Sequence, residues 1–121
     1  MKMKKTLVVG ASTNPLRYSY VAIQRLVQSK KQVVAIGLRS GMVEGVTIET
    51  EKLPFRDIDT VTLYIGLKHQ PEYYDYIVSL KPSRVIFNPG TENRAFYTLL
   101  KEANINVEVA CTLVLLSTNQ Y

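Results

Sequence analysis

Five short runs of apolar, mostly β-branched residues punctuate the chain: Thr6-Leu7-Val8-Val9-Gly10, Val33-Val34-Ala35-Ile36-Gly37, Val61-Thr62-Leu63-Tyr64-Ile65, Val85-Ile86-Phe87 and Val107-Glu108-Val109. Runs that are apolar on both faces are what a parallel sheet covered on both sides requires, so each predicts a buried strand. Between them lie three patterns with apolar or aromatic residues at helical spacing. Tyr18, Val21, Ala22 and Leu26 mark the first, Tyr73, Tyr76, Ile77 and Leu80 the second, and Phe96, Leu99, Leu100 and Ala103 the third. Each has a start signal: Asn14-Pro15 for the first, Pro71 for the second, and Thr91 or Asn93 as a cap for the third.

Strands alternating with helices predict βαβ units with right-handed crossovers. One connection breaks the alternation. From Arg39 to Phe55 there is no helical pattern, only a loop with Gly41 and Gly45 around a weak strand, Val46-Thr47-Ile48, which reads as a short edge strand after the second. The expected fold is α/β: a Rossmann-like, doubly wound parallel sheet of strand order 3-2-1-4-5-6 in a three-layer α/β/α arrangement. The 121 residues, with no repeat, low-complexity segment or linker, read as a single domain over 1–121. A chain of this size buries roughly two-thirds of its unfolded surface, which suffices for one core and excludes a cofactor domain joined to a separate catalytic domain.

Composition narrows the chemistry. One cysteine, Cys111, excludes an internal disulfide, and with a single histidine, His69, no soft metal site of the usual spacings can be assembled. A reducing cytoplasm is the expected compartment. No apolar stretch approaches a membrane span, and Leu7-Val8-Val9 is too short for the apolar core of a signal peptide. The net charge of +5 comes from scattered basic residues, with one cluster at Lys2, Lys4 and Lys5. Such a charge suits a highly phosphorylated small molecule as well as nucleic acid, but a nucleic-acid module needs a basic face or interleaved aromatics that the sequence does not display.

In a doubly wound sheet, ligands bind beyond the carboxyl ends of the central strands. The loop Gly10-Ala11-Ser12-Thr13-Asn14-Pro15 therefore stands out: a glycine for a tight turn, two hydroxyls, and entry into a helix whose free N–H groups favour an anion. A phosphate suits it, although the same residues could simply cap the helix. The G-x-G-x-x-G fingerprint is absent, with Ser12 and Pro15 in place of its second and third glycines, and the second strand ends in Gly37-Leu38-Arg39-Ser40 with no acid for ribose hydroxyls. NAD is disfavoured; Arg39 suits a phosphate on the ribose, which keeps a small NADP-dependent reductase as the rival reading. After the third run, Ile65 and Gly66 offer a small apolar surface for an adenine. Asn88-Pro89-Gly90 forms a turn in which Asn88 is available to bond a ligand. His69 has no Ser, Cys or Asp assigned beside it and receives no catalytic role. Cys111 reads as a buried thiol, and Tyr73, Tyr74 and Tyr76 as helix packing of a kind also common at subunit contacts.

Gly10-Ala11-Ser12, followed by Pro15, Arg17, Ser19 and Tyr20, resembles the opening of the small stand-alone CoA-binding domain proteins, Rossmann-like relatives of the CoA-binding domain of succinyl-CoA synthetase. The later landmarks agree in order: the Gly45 loop, Phe55-Arg56-Asp57-Ile58 before the central strand, Asn88-Pro89-Gly90-Thr91-Glu92-Asn93 in the manner of a Q-x-G-x-x-N loop, and Cys111 after the last strand. The chain departs in carrying Leu38-Arg39 where the family often has Asn-Pro. The resemblance implies a cytoplasmic, non-catalytic module for CoA or acyl-CoA. It places the pyrophosphate on Ser12 and Thr13 with Arg17 assisting, the adenosine 3′-phosphate beside Leu38, Arg39 and Ser40, and the adenine along Ile65 and Gly66. A homo-oligomer or another protein partner is left open.

Overall fold

The computed structural model describes residues 4–121, so Lys2 of the basic cluster lies outside the described residues. One sheet of seven strands runs through the molecule: β1 (Lys5–Val9), β2 (Gln32–Ile36), β3 (Gly41–Val43), β4 (Val46–Glu49), β5 (Ile58–Leu63), β6 (Arg84–Phe87) and β7 (Asn106–Val109). Their spatial order is β3-β4-β2-β1-β5-β6-β7. The six expected strands stand in the expected order, with every pairing among them parallel.

The correction is at the edge. The segment after β2 forms a hairpin in place of a single strand, because β3 returns antiparallel to β4 through a two-residue turn with Val43 opposite Val46. Glu44 and Gly45 both have positive φ, 50° and 80°, the combination that matches a tight hairpin to the twist of its strands. The sheet is therefore mixed, parallel through its centre and antiparallel at this margin.

Alternation along the strands builds two cores. Leu7 and Val9 face one side with Val61, Leu63, Val85 and Phe87, where Ile77, Phe96 and Leu100 close over them. Val8, Ala35 and Ile48 face the other side, under Ile23 and Leu26. The covering helices are α1 (Tyr18–Gln28), α2 (Tyr74–Ser79), α3 (Arg94–Glu102) and α4 (Thr112–Ser117). Each fully buried Leu, Ile or Phe in these layers contributes about 1.5–3 kcal/mol of transfer free energy. Phe96 also meets Phe87 edge-on at 5.5 Å between ring centroids.

The second helical pattern is shorter than its spacing suggests. It opens as a 3-10 helix over Leu67–Tyr73 with Pro71 inside it, and only then becomes α2. Pro71 therefore lies inside the 3-10 segment and is not the first residue of an α-helix, because the chain already turns from Leu67 onward. The three tyrosines pack within the chain: Tyr74 stacks on Phe96 at 4.5 Å, Tyr76 donates to the Leu53 carbonyl at 2.6 Å, and Lys52 Nζ lies 4.8 Å from the Tyr73 ring centre. The additional helix α4 is six residues long, too short to show a period, and packs beside α1.

Candidate functional site

At the carboxyl edge of the sheet the loops after β1, β2 and β5 converge on glycines. Gly10 has φ +93°, and a Cβ there would stand 2.8 Å from Ile65 Cγ2 and 2.9 Å from the Tyr64 carbonyl. A Cβ on Gly37 would stand 2.3 Å from the Ala11 carbonyl oxygen, so the loop after β2 lies directly against the loop after β1. Gly41, at the start of β3, has the Thr13 side chain at the same close range. Gly10, Ala11, Thr13, Gly37, Gly41 and Ile65 are thus brought together at this edge.

Hydrogen bonding divides the first loop into a fixed half and an open half. The N–H groups of Gly10 and Ala11 both donate to the Ile36 carbonyl at 2.9 Å, which anchors the turn to β2 and removes these two donors from any ligand. The N–H groups of Ser12 and Thr13 have no partner among the described residues. Ser12 Oγ accepts from the Asn14 N–H at 3.0 Å and keeps its own proton to donate. Asn14 Oδ1 accepts from the Leu16 N–H, and the Arg17 N–H reaches back to the Asn14 carbonyl. Asn14-Pro15 therefore builds a β-turn ahead of the helix and does not cap it.

Helix α1 instead starts from Arg17, in extended conformation, with no side-chain cap and no acidic residue in its first turn. Its first N–H groups carry the positive end of the helix dipole with no side chain capping them. Arg17 and, across the edge, Leu38, Arg39 and Ser40 are exposed, and neither arginine forms an ion pair among the described residues. The space beside Gly66 is open, since a Cβ there would meet nothing within 4 Å.

The loop after β6 is different in kind. Asn88 is buried, and its Nδ2 donates to Thr62 Oγ1 at 2.7 Å and to the Leu63 carbonyl at 2.8 Å while its Oδ1 accepts from the Thr112 N–H at 2.9 Å. Both side-chain N–H groups are taken inside the protein, so Asn88 joins β5 to the start of α4 and its carboxamide has no N–H left to offer a ligand. Gly90 has φ +93°, which supports the turn, and its N–H is taken by Glu92. Asn93, not Thr91, caps α3, accepting from the Phe96 N–H; Thr91 donates to the Asn88 carbonyl.

Sequence reasoning missed Gln70, Thr62 and Thr112. Gln70 is fully buried in the 3-10 helix, and the Thr62 and Thr112 hydroxyls bond at 2.8 Å. The sequence offers no local signal for this: Thr62 lies within β5, Gln70 in the 3-10 helix and Thr112 at the start of α4. The Tyr64 hydroxyl is buried without a hydrogen-bond partner among the described residues, and burial pushes its pKa up to about 12, against the opposing influence of the Thr112 and Thr62 hydroxyls. Cys111 is partly exposed and precedes α4, and His69 is exposed. Among the described residues no group of His, Cys, Asp and Glu could hold a metal ion, and no helix is long and apolar enough to cross a membrane. A concavity of about 410 Å³ opens at the opposite edge, among Lys4, Asp57, Asp59, Lys81 and Ser83.

Solved structures of similar shape agree with this architecture. A crystal structure of an uncharacterized protein matches over 98% of both chains at 45% identity and a TM-score of 0.95. A Thermus thermophilus protein matches over 98% of this chain and 91% of its own at 20% identity and a TM-score of 0.85, which shows the fold alone. A hypothetical protein from Pyrococcus horikoshii OT3 matches over 93% and 81% at 26% identity and a TM-score of 0.82. No curated protein matches the chain. The model of the CoA binding domain matches residues 4–117, which takes in every loop of the carboxyl edge: the chain belongs to the CoA-binding domain family.

Proposed function

We propose that the protein holds CoA or acyl-CoA by its nucleotide end and carries out no chemistry of its own. The observation that carries this reading is the start of α1: a helix without a side-chain cap, behind a loop whose Ser12 and Thr13 N–H groups have no acceptor among the described residues, in a chain of the CoA-binding domain family. The pyrophosphate rests on Ser12, Thr13 and the first turn of α1, with Arg17 beside it. Gly10 and Ala11 support the loop from behind. Arg39, with Leu38 and Ser40, takes the adenosine 3′-phosphate, and Ile65 and Gly66 flank the adenine. Asn88 and Gly90 contribute by shaping the neighbouring loop, not by touching the ligand.

The residue types along this edge, hydroxyls, guanidiniums and glycines, suit grip on phosphate and not proton transfer. Isothermal titration with CoA, dephospho-CoA and pantetheine tests the reading. CoA binds best, dephospho-CoA more weakly and pantetheine not measurably. Equal binding of pantetheine and CoA contradicts a site built around the nucleotide end.

A further inference from the structure

A fully buried glutamine within an otherwise ordinary strand-to-helix connection is an unusual choice, because a buried amide is tolerated only when its donors and acceptor are matched. Gln70 meets that requirement across two loops. Its Nε2 donates to the Ile65 carbonyl at 3.1 Å and to the Thr91 carbonyl at 2.8 Å, and its Oε1 accepts from Asn93 Nδ2 at 2.9 Å. Asn93 in turn donates to the Tyr74 hydroxyl at 2.7 Å and caps α3 through Oδ1. One side chain thus ties the loop after β5 to the loop after β6 and to the start of α3.

The Ile65 end of this network reaches the ligand edge. Ile65 Cγ2 and the Tyr64 carbonyl form the surface against which the Gly10 turn is seated, with less than a methyl group of room between them. A movement of Ile65 is therefore felt by Gly10, and the open space beside Gly66 changes shape with it. A methionine or leucine could fill the volume of Gln70, but it would leave two carbonyls and an amide N–H without partners.

We propose that Gln70 is a positioning residue for the ligand edge: its carboxamide fixes the Ile65-Gly66 wall and, through that wall, the turn at Gly10. The inference rests on the reading of this edge as the nucleotide site, and it adds a residue that never touches the ligand.

The test uses Gln70→Met, which keeps the length and removes both donors, with two independent readouts. In the ligand-free protein, the backbone amide resonances of Gly10, Ile65 and Gly66 shift relative to the parent while those of β7 do not. In titrations, CoA affinity falls about tenfold, the scale of one to two lost hydrogen bonds, whereas affinity for inorganic pyrophosphate, whose loop is also anchored to the Ile36 carbonyl through the Gly10 and Ala11 N–H groups, falls clearly less. A general loss of structure would lower both affinities together. Unshifted amides at Gly10, Ile65 and Gly66 overturn the inference whether or not CoA is the ligand, and a parent protein that fails to bind CoA overturns the functional reading alone. Should Gln70→Met not fold, Gln70→Glu, which retains the acceptor toward Asn93, takes its place; failure of both to fold makes Gln70 a structural residue and also overturns the proposal.

Discussion

Two loop clusters sit side by side on the carboxyl edge, built from the same kinds of residue and put to opposite uses. Around β1 and β2 the chain is open: Leu16 and Leu38 are each 91% exposed, Arg17 and Arg39 are unpaired among the described residues, and α1 begins without a side-chain cap. Behind β5 and β6 it is closed: Asn88 is 2% and Gln70 0% exposed, and every polar atom of both side-chain amides has a protein partner. A polar group that is buried and satisfied fixes a backbone; one that is exposed and unsatisfied is free to meet a ligand. The difference lies in what each loop is packed against.

The strongest way to break the comparison is at Asn88. Asn88→Ala strands the Leu63 carbonyl and the Thr112 N–H in the interior and should lower stability by about 2–4 kcal/mol, read by urea unfolding. If Asn88 instead reached the ligand, the folded variant would lose CoA affinity with little change in stability.

Gly37→Ala attacks the contact between the open loops. The added methyl lies 2.3 Å from the Ala11 carbonyl oxygen and 3.0 Å from Ile48 Cγ2, so the two loops must part. A stability loss of about 1–3 kcal/mol is expected from overpacking, together with weakened CoA binding; unchanged thermal stability would mean that the loops are not held in this contact. Arg39→Ala should leave stability within about 0.5 kcal/mol and weaken CoA by about 1–3 kcal/mol, the scale of a charge-assisted hydrogen bond. The CoA to dephospho-CoA affinity ratio shows whether the loss is at the 3′-phosphate. If the parent and the variant share the same ratio, Arg39 does not read that group.

The smallest effect is at high pH. Burial raises the Tyr64 and Tyr76 hydroxyls from 10.0 to about 12, so in the folded protein they keep their protons where the unfolded chain loses them. The stabilisation this represents is complete below pH 10 and is lost as pH rises toward 12. Tyr64→Phe removes a hydroxyl that has no hydrogen-bond partner among the described residues, so it should leave stability at pH 7 unchanged or slightly higher and reduce the alkaline loss, as measured by thermal unfolding between pH 8 and pH 11 (a range spanning the ordinary tyrosine value).

The same contrast explains what could be read in the sequence. The central strands were legible because Leu7-Val8-Val9 and Val85-Ile86-Phe87 are apolar on both faces, and their order sets which loops meet at the carboxyl edge. The hairpin at β3 and β4 was not, because Gly41 and Gly45 read as loop breakers, although Glu44-Gly45 is the two-residue turn that joins the strands. Helix α4 is shorter than two turns and left no period to find. At the site, Ser12 and Asn88 carry equal signal as residues. Only the tertiary placement of Thr62 and Thr112 shows that Asn88 is enclosed, and no local pattern encodes a contact between residues 62, 88 and 112.

The most direct test of the central claim is thermal unfolding with CoA, NAD and NADP compared at equal concentration. A ligand at about one hundred times its dissociation constant adds ~2.7 kcal/mol of stability, which in a domain of this size raises the midpoint by roughly 3–6 °C. The account predicts that rise for CoA and a clearly smaller one for NAD and NADP. A larger rise with NADP, or none with CoA, would contradict it.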